Sequence, residues 1–253
     1  MCGIALCYSN TNINPKDTVK NIIDSIKHRG PDNQSYINLE NVSLGSCRLS
    51  IFDLSEKGNM PMKDNSGRYT IVFNGEIYNF KLLKKKFNLN IKSETDTEVL
   101  LELYSLKKEK CLEYINGIFA FVIYDNKENS FFCARDHIGV KPFYYIKKND
   151  DFIVSSEIKG LHKIFDNKFN INRIKKYLTT SFYDFGEQTF YEDIQQLQPG
   201  HFIKYFPKKN SFKIEKYWDL KKNDKKYNHN IKESELIETA YNLIENSFKI
   251  QCQ

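Results

Sequence analysis

The sequence predicts an α+β fold built mostly from antiparallel strands. Three observations carry this reading. Short apolar runs recur along the chain, separated by clusters of Asn, Gly, Asp and Lys. Few connections are long enough to join parallel neighbours. Helical spacing of apolar residues returns at only a few separate places. A hydrophobic fraction of 40% and an aromatic fraction of 14% over 253 residues supply a sizeable core and exclude wholesale disorder.

Residues 2–9 are short and apolar, as a buried strand is. Val19, Ile22, Ile23 and Ile26 place a helix at about 16–27, ended by Gly30-Pro31. Further strands are predicted near 42–48, 69–74, 117–124, 130–134, 143–146, 152–155, 201–206 and 212–217. Helices are predicted at 79–87 and at 96–106, the latter through Val99, Leu100, Leu103 and Leu106. The stretch KKNDKKYNHN at 221–230 has no apolar period and reads as a linker. A last amphipathic helix fits 233–249, through Leu236, Ile237, Ala240, Tyr241, Ile244 and Phe248.

Charge and cysteine usage narrow the function classes. The net charge is +6, but the lysines are dispersed, and Lys84-Lys85-Lys86 and the 221–226 run read as solvated surface. No nucleic-acid partner is expected. No apolar run approaches the ~18 residues that span a bilayer, and no basic-then-apolar leader opens the chain, so no membrane partner is expected either. The cysteines at 2, 7, 47, 111, 133 and 252 form no CxxC pair and read as reduced thiols of a cytoplasmic protein. No metal-ligand spacing surrounds Cys133 or His137, so no metal is assigned.

Cys2 admits two readings. It is a small residue entering the first strand, or it becomes the N-terminus once Met1 is removed. In the second case a thiol of pKa ~8.5 and an α-amine of pKa ~8 share one residue, and the amine can take the thiol proton. Gly3 beside it would let a ligand or another backbone come close. Asn74-Gly75 follow the apolar run YTIVF and sit where a strand is expected to end. They suit an oxyanion hole, but Asn-Gly is also the commonest tight turn. Arg48 could grip a carboxylate by a two-pronged hydrogen bond, or lie on the surface. Asp96 opens a predicted helix, where Thr95 and Glu98 would form a capping box.

The order of these segments resembles the glutamine amidotransferase domain of class II, N-terminal-nucleophile enzymes, as found in glutamine-hydrolysing asparagine synthetases. The matching segments are MCGI (1–4), HRGPD (28–32), RLSI-x-D (48–53), NGEIYN (74–79) and D-x-E-V (96–99). Others are FAF-x-IYD (119–125), RD-x-IG-x-KPFY (135–144), SEIK-x-L (156–161) and PGH (199–201). The resemblance covers roughly residues 2–220.

It implies an αββα sandwich of two antiparallel sheets and hydrolysis of glutamine to glutamate and ammonia. Cys2 would be the nucleophile, and Asn74 and the Gly75 N–H the oxyanion hole. Arg48 would hold the glutamine α-carboxylate, Glu76 and Asp96 the α-ammonium. Backbone groups of Ile51 and Phe52 would line the pocket, and Arg29 would shape the Cys2 loop. The 135–144 and 156–161 segments would line an ammonia exit. Two positions depart from the family pattern: Ser46, where many members have His, and Tyr36, where many have Gly.

The resemblance further implies a domain at 2–220, a linker at 221–232, and at 233–253 the first helix of an asparagine synthetase domain. That domain would receive the ammonia and use ATP and Mg²⁺; its SGG-[IL]-DS loop does not occur here. No cofactor is expected in residues 1–253. A homodimer is among the assemblies the resemblance admits. Two alternatives stand beside asparagine as product. One is amidation of another acceptor, such as a sugar, antibiotic or polysaccharide precursor. The other is a non-catalytic binding module, which has no need of Cys2, Arg48, Asn74, Gly75, Glu76 and Asp96 together.

Overall fold

Alternation along β1 (Gly3–Tyr8) sets the layering of the molecule. Ile4, Leu6 and Tyr8 face one apolar cluster, and Ala5 and Cys7 face another. Both faces of the strand are therefore buried, which explains why it reads as a continuous apolar run. A computed structural model describes all residues except 52, 163, 166, 167, 183–185, 221–231 and 253.

In chain order, β1 is followed by α1 (Pro15–Ile26), β2 (Asn33–Asn38), β3 (Val42–Arg48), β4 (Met62–Lys63) and β5 (Tyr69–Ile77). Next come α2 (Phe80–Lys86), α3 (Asp96–Lys107), β6 (Gly117–Asp125), β7 (Ser130–Arg135), β8 (Tyr144–Lys148) and β9 (Asp151–Ser155). The chain ends with α4 (Ile171–Thr180), β10 (Gln195–Gln196), β11 (His201–Phe206), β12 (Ser211–Lys216) and α5 (Glu233–Gln251).

One sheet has the order β10-β8-β9-β1-β3-β2, the other β12-β11-β7-β6-β5-β4. Their strand pairings are antiparallel. Val19, Ile22, Ile23 and Ile26 of α1 cover the outer face of the first sheet. Between the sheets, Leu6 and Leu44 meet Val72, Val122 and Ile203. On the far side, Val99, Leu100 and Leu103 of α3 cover Phe73, Phe119 and Phe121. Three apolar layers thus hold four structural layers, the αββα sandwich. Each fully buried large side chain contributes about 1.5–3 kcal/mol.

The predicted strands and helices are all present, with ends shifted by a few residues. α1 starts one residue early because Asn14 caps it, accepting from the Lys16 and Asp17 N–H groups, and Pro15 takes the first turn. The tight turn expected at Asn74-Gly75 is a correction. β5 runs through both residues to Ile77, with Asn74 opposite Ala120 and Gly75 opposite Phe119 on β6. Unread in the sequence were β2, an edge strand whose residues are mostly half-exposed, and α4, whose one buried side chain is Arg173. The two-residue β4 and β10 leave no periodicity to read.

α5 forms where predicted, and none of its side chains is buried. The predicted linker at 221–230 lies outside the described residues.

Candidate active site

The sandwich brings three strand ends and one helix start to one place. β1 begins at Gly3, whose partner across the sheet is Cys47, so Cys2 lies beside the end of β3 at Arg48. The Ile77 N–H at the end of β5 donates to Asp96 Oδ2 at 2.8 Å, tying that strand to the first residue of α3. One cavity of about 70 Å³ is lined by Cys2, Arg48, Ile51, Asn74, Gly75, Glu76 and Asp96. These are all the predicted pocket residues except Phe52, which lies outside the described residues. A larger cavity of about 670 Å³, between α1 and residues 159–164, contains none of them.

Cys2 is half-buried, and the Leu49 N–H donates to its Sγ at 3.5 Å. Burial pushes the thiol up; the Leu49 N–H, the terminal ammonium and Arg48 pull it down, and Asp96 raises it. The HRGPD turn fixes the loop around it. Arg29 Nε donates to the Cys2 carbonyl at 2.9 Å, while its Nη1 reaches Glu157 Oε1 at 3.0 Å. The Asp32 N–H donates to the Arg48 carbonyl at 3.0 Å, and Asp32 Oδ2 accepts from the Ser50 N–H at 2.7 Å. Gly30 packs so tightly on this strand that a Cβ there would lie 2.4 Å from the Cys47 carbonyl carbon. What comes close to Gly3 is not a ligand or a backbone but the Cys47 and Ile26 side chains, within 3 Å of where its Cβ would stand.

Arg48 is 5% exposed. Its guanidinium donates to the Ser55 carbonyl at 2.9 Å, to Asn59 Oδ1 at 3.0 Å and to the Asp53 carbonyl. The 53–59 segment therefore holds the cation in place, and Gly58 leaves it room. Ser46, at one of the departures from the family pattern, donates from Oγ to the carbonyl of Met60, the residue after that segment. Tyr36, the other departure, packs on the core beneath α1.

Asn74 is 1% exposed, and neither the oxygen nor the nitrogen of its amide has a partner among the described residues. Leaving a buried amide unpaired costs about 1–3 kcal/mol, so a group that completes it on binding has a large effect. Gly75 is required by its neighbour: a Cβ there would lie 2.3 Å from the Ile118 carbonyl oxygen.

Asp96 is buried, and burial pushes its carboxyl up to about 6; the Glu76 charge adds to this, and the Ile77 and Thr97 N–H groups oppose it. The capping box expected here is half formed. Thr95 Oγ1 accepts from the Glu98 N–H at 3.2 Å, but the Glu98 carboxylate turns to the Ser93 and Lys92 N–H groups instead. It fixes the turn that presents Asp96.

Lys141 also lines the cavity and was not singled out from the sequence. It lay inside the 135–144 segment, but a lysine among 38 basic residues carries no signal of its own. Thr95, expected only as a helix cap, lines the cavity as well, and so does Thr97, a residue without an expected role. Among the described residues no cluster of three or more His, Cys, Asp and Glu has metal-binding geometry.

The charges are arranged for a zwitterion: a buried guanidinium at one place and two carboxyl groups at another, with a thiol and an unpaired amide alongside. A family model described as a glutamine amidotransferase domain matches residues 1–218. A putative glutamine-hydrolyzing asparagine synthetase 2 of Methanocaldococcus jannaschii is 36% identical, over 93% of this chain and 49% of that protein. Glutamine-hydrolyzing asparagine synthetase 3 of Bacillus subtilis is 32% identical, over 87% and 37%. The chain thus spans half or less of the length of these relatives. Among solved structures, the glutamine phosphoribosylpyrophosphate amidotransferase of B. subtilis superposes with a TM-score of 0.65 at 15% identity, over 86% of this chain and 49% of that one. That likeness is one of fold.

Proposed function

We propose a mechanism and a product for this chain, which belongs to the glutamine amidotransferase domain family. Its reaction is hydrolysis of glutamine to glutamate and ammonia, the half-reaction performed by this domain in enzymes of the family. Arg48 takes the α-carboxylate, and Glu76 with Asp96 takes the α-ammonium. The γ-carboxamide oxygen then lies toward Asn74 and the Gly75 N–H. With Met1 removed, the Cys2 α-amine accepts the thiol proton. The sulfur lone pair forms the S–C bond, and the carbonyl π pair moves to oxygen. The tetrahedral species collapses as the Cys2 α-ammonium gives its proton to the leaving nitrogen, releasing ammonia, and water then hydrolyses the γ-glutamyl thioester to glutamate and the free Cys2 thiol. Arg29 holds the Cys2 carbonyl throughout.

The observation that carries this reading is the Asn74 amide, buried in the wall of the Cys2 cavity and without a partner among the described residues. The test is release of glutamate and ammonia by the purified chain and by an Asn74→Ala variant. Hydrolysis by the first and a drop of about 10²–10³ in kcat in the second support it. Equal rates would contradict it.

For the product, our reading is asparagine. The ammonia would pass to an ATP- and Mg²⁺-dependent synthetase domain following a glutaminase domain at 2–220 and a linker at 221–232. The names of the relatives and the share of their length that this chain covers support it. The exposed apolar residues of α5, among them Ile237, Tyr241 and Phe248, suit a helix that belongs to that domain. A full-length form that makes asparagine from ammonia after Cys2→Ala, but not from glutamine, is the expected result. Glutamine-dependent synthesis surviving that substitution would reject it.

A further inference from the structure

The resemblance puts the segment 156–161 along an ammonia exit, yet none of its residues is among those lining the Cys2 cavity. What the segment does contact is the start of β1. β9 pairs with β1 as far as Ser155, opposite Ala5. Ser156 carries the pairing on: its N–H donates to the Ile4 carbonyl at 3.1 Å, and its Oγ accepts from the Ile4 N–H at 2.9 Å. Glu157 follows directly, and its own backbone is fixed. Its N–H donates to Ser155 Oγ at 3.2 Å, and its carbonyl accepts from the Gly160 N–H at 3.1 Å.

The Glu157 side chain reaches Cys2 through one residue. Arg29 donates from Nε to the Cys2 carbonyl at 2.9 Å and from Nη1 to Glu157 Oε1 at 3.0 Å. The Arg29 side chain is 8% exposed. A cation so buried is costly without a counter-charge, and Glu157 supplies it. His28 and Lys159 approach the same carboxylate at 2.9 and 3.1 Å, with side chains 54% and 45% exposed. Burial pushes the Glu157 carboxyl up, but the hydrogen bonds from Arg29, Lys159 and His28 outweigh it and hold the carboxyl below its ordinary value. The Cys2 carbonyl belongs to the nucleophile's own residue. The peptide it shares with Gly3 is planar, so holding its oxygen places the Cys2 Cα, from which both the thiol and the α-amine hang.

We propose that Glu157 is a positioning residue for Cys2, acting through Arg29 on the peptide plane that carries the thiol and its α-amine; the proposal rests on the glutaminase reading. Glutamine is held elsewhere, at Arg48, Glu76 and Asp96, so loss of the Glu157 charge lowers kcat and leaves KM alone. The experiment measures glutamine hydrolysis by Glu157→Gln, Arg29→Ala and the double variant, each confirmed Met1-free by mass. Glu157→Gln is expected to lose about tenfold in kcat, with KM within about twofold. Arg29→Ala should lose at least as much. In that background Glu157→Gln should cost less than about twofold more, because residues acting through one contact do not add. Lys159→Ala, which removes a different cation from the same carboxylate, should stay within about twofold of the parent.

An unchanged kcat in Glu157→Gln overturns the proposal and leaves the glutaminase reading standing. So does a raised KM alone, which would place Glu157 in glutamine binding. So do losses that multiply in the double variant, which would make the effect of Glu157 independent of Arg29, or a Lys159→Ala chain as slow as Glu157→Gln. If Glu157→Gln fails to fold, Glu157→Asp is held to the same outcomes. An unaltered chain that does not hydrolyse glutamine overturns both readings together.

Discussion

Two cysteines five residues apart, one just before the first strand and one within it, are treated differently by the molecule. Cys7 is packed under α1 with Val19, Ile22 and Ile153, and burial pushes its thiol up to about 12. Cys2, just before the strand begins, opens onto a cavity with Arg48, Asn74, Glu76 and Asp96. Its burial is opposed by a backbone N–H and two positive charges. The residue type is the same, and the two are five residues apart in the chain. What distinguishes the proposed nucleophile from the packed thiol is the set of groups that other parts of the chain bring to it.

Substitutions that swap the roles of the two ends should therefore have unequal effects. Cys2→Ala is expected to abolish glutamine hydrolysis, by about 10³-fold or more, with little change in melting temperature. Cys7→Ala should leave kcat within about twofold and lower stability by about 1 kcal/mol. Steady-state kinetics and thermal melts on the two variants check both; a Cys7→Ala enzyme as inactive as Cys2→Ala would erase the distinction.

Asn74→Ala sharpens it further. Activity should fall as stated above, while stability holds or rises, because an unpaired buried amide is removed. A clear loss of stability would show that the amide has a structural partner.

Asp96 extends the comparison to pH. Its folded pKa, about 6, lies above the ordinary carboxyl value, so between roughly pH 4 and 6 the folded state binds more protons than the unfolded one. Its contribution to stability is then fully present at low pH and is lost as pH rises through 6, a penalty of roughly 3 kcal/mol near neutrality. Asp96→Asn should flatten that part of the stability–pH curve and raise the KM for glutamine. In the parent chain, KM should rise as pH falls below about 6, where the carboxyl is protonated. A KM constant across this range would remove Asp96 from the ammonium site.

The apolar skeleton was legible because both sheets are covered on both faces. Runs such as FAFVIY on β6 and IALCY on β1 announce buried strands whatever the fold. The edge strand β2 and the short helix α4 were silent because few of their side chains enter a core. Asn74-Gly75 misled for a different reason. A dipeptide that favours turns is kept in mid-strand because Ile118 leaves no room for a Cβ at 75, and that neighbour is 43 residues away in the chain. The order of segments could name Cys2, Arg48, Asn74 and Asp96 as a set. Only their convergence showed that the Asn74 amide lacks a partner and that Lys141 shares the cavity.

The most direct test of the central claim is peptide mass spectrometry after treatment with diazo-oxo-norleucine, with and without glutamine. The account predicts a single adduct on Cys2 of a chain that has lost Met1, formed more slowly when glutamine is present. An N-terminal peptide that retains Met1, or label shared with Cys7, Cys47 or Cys252, would contradict it.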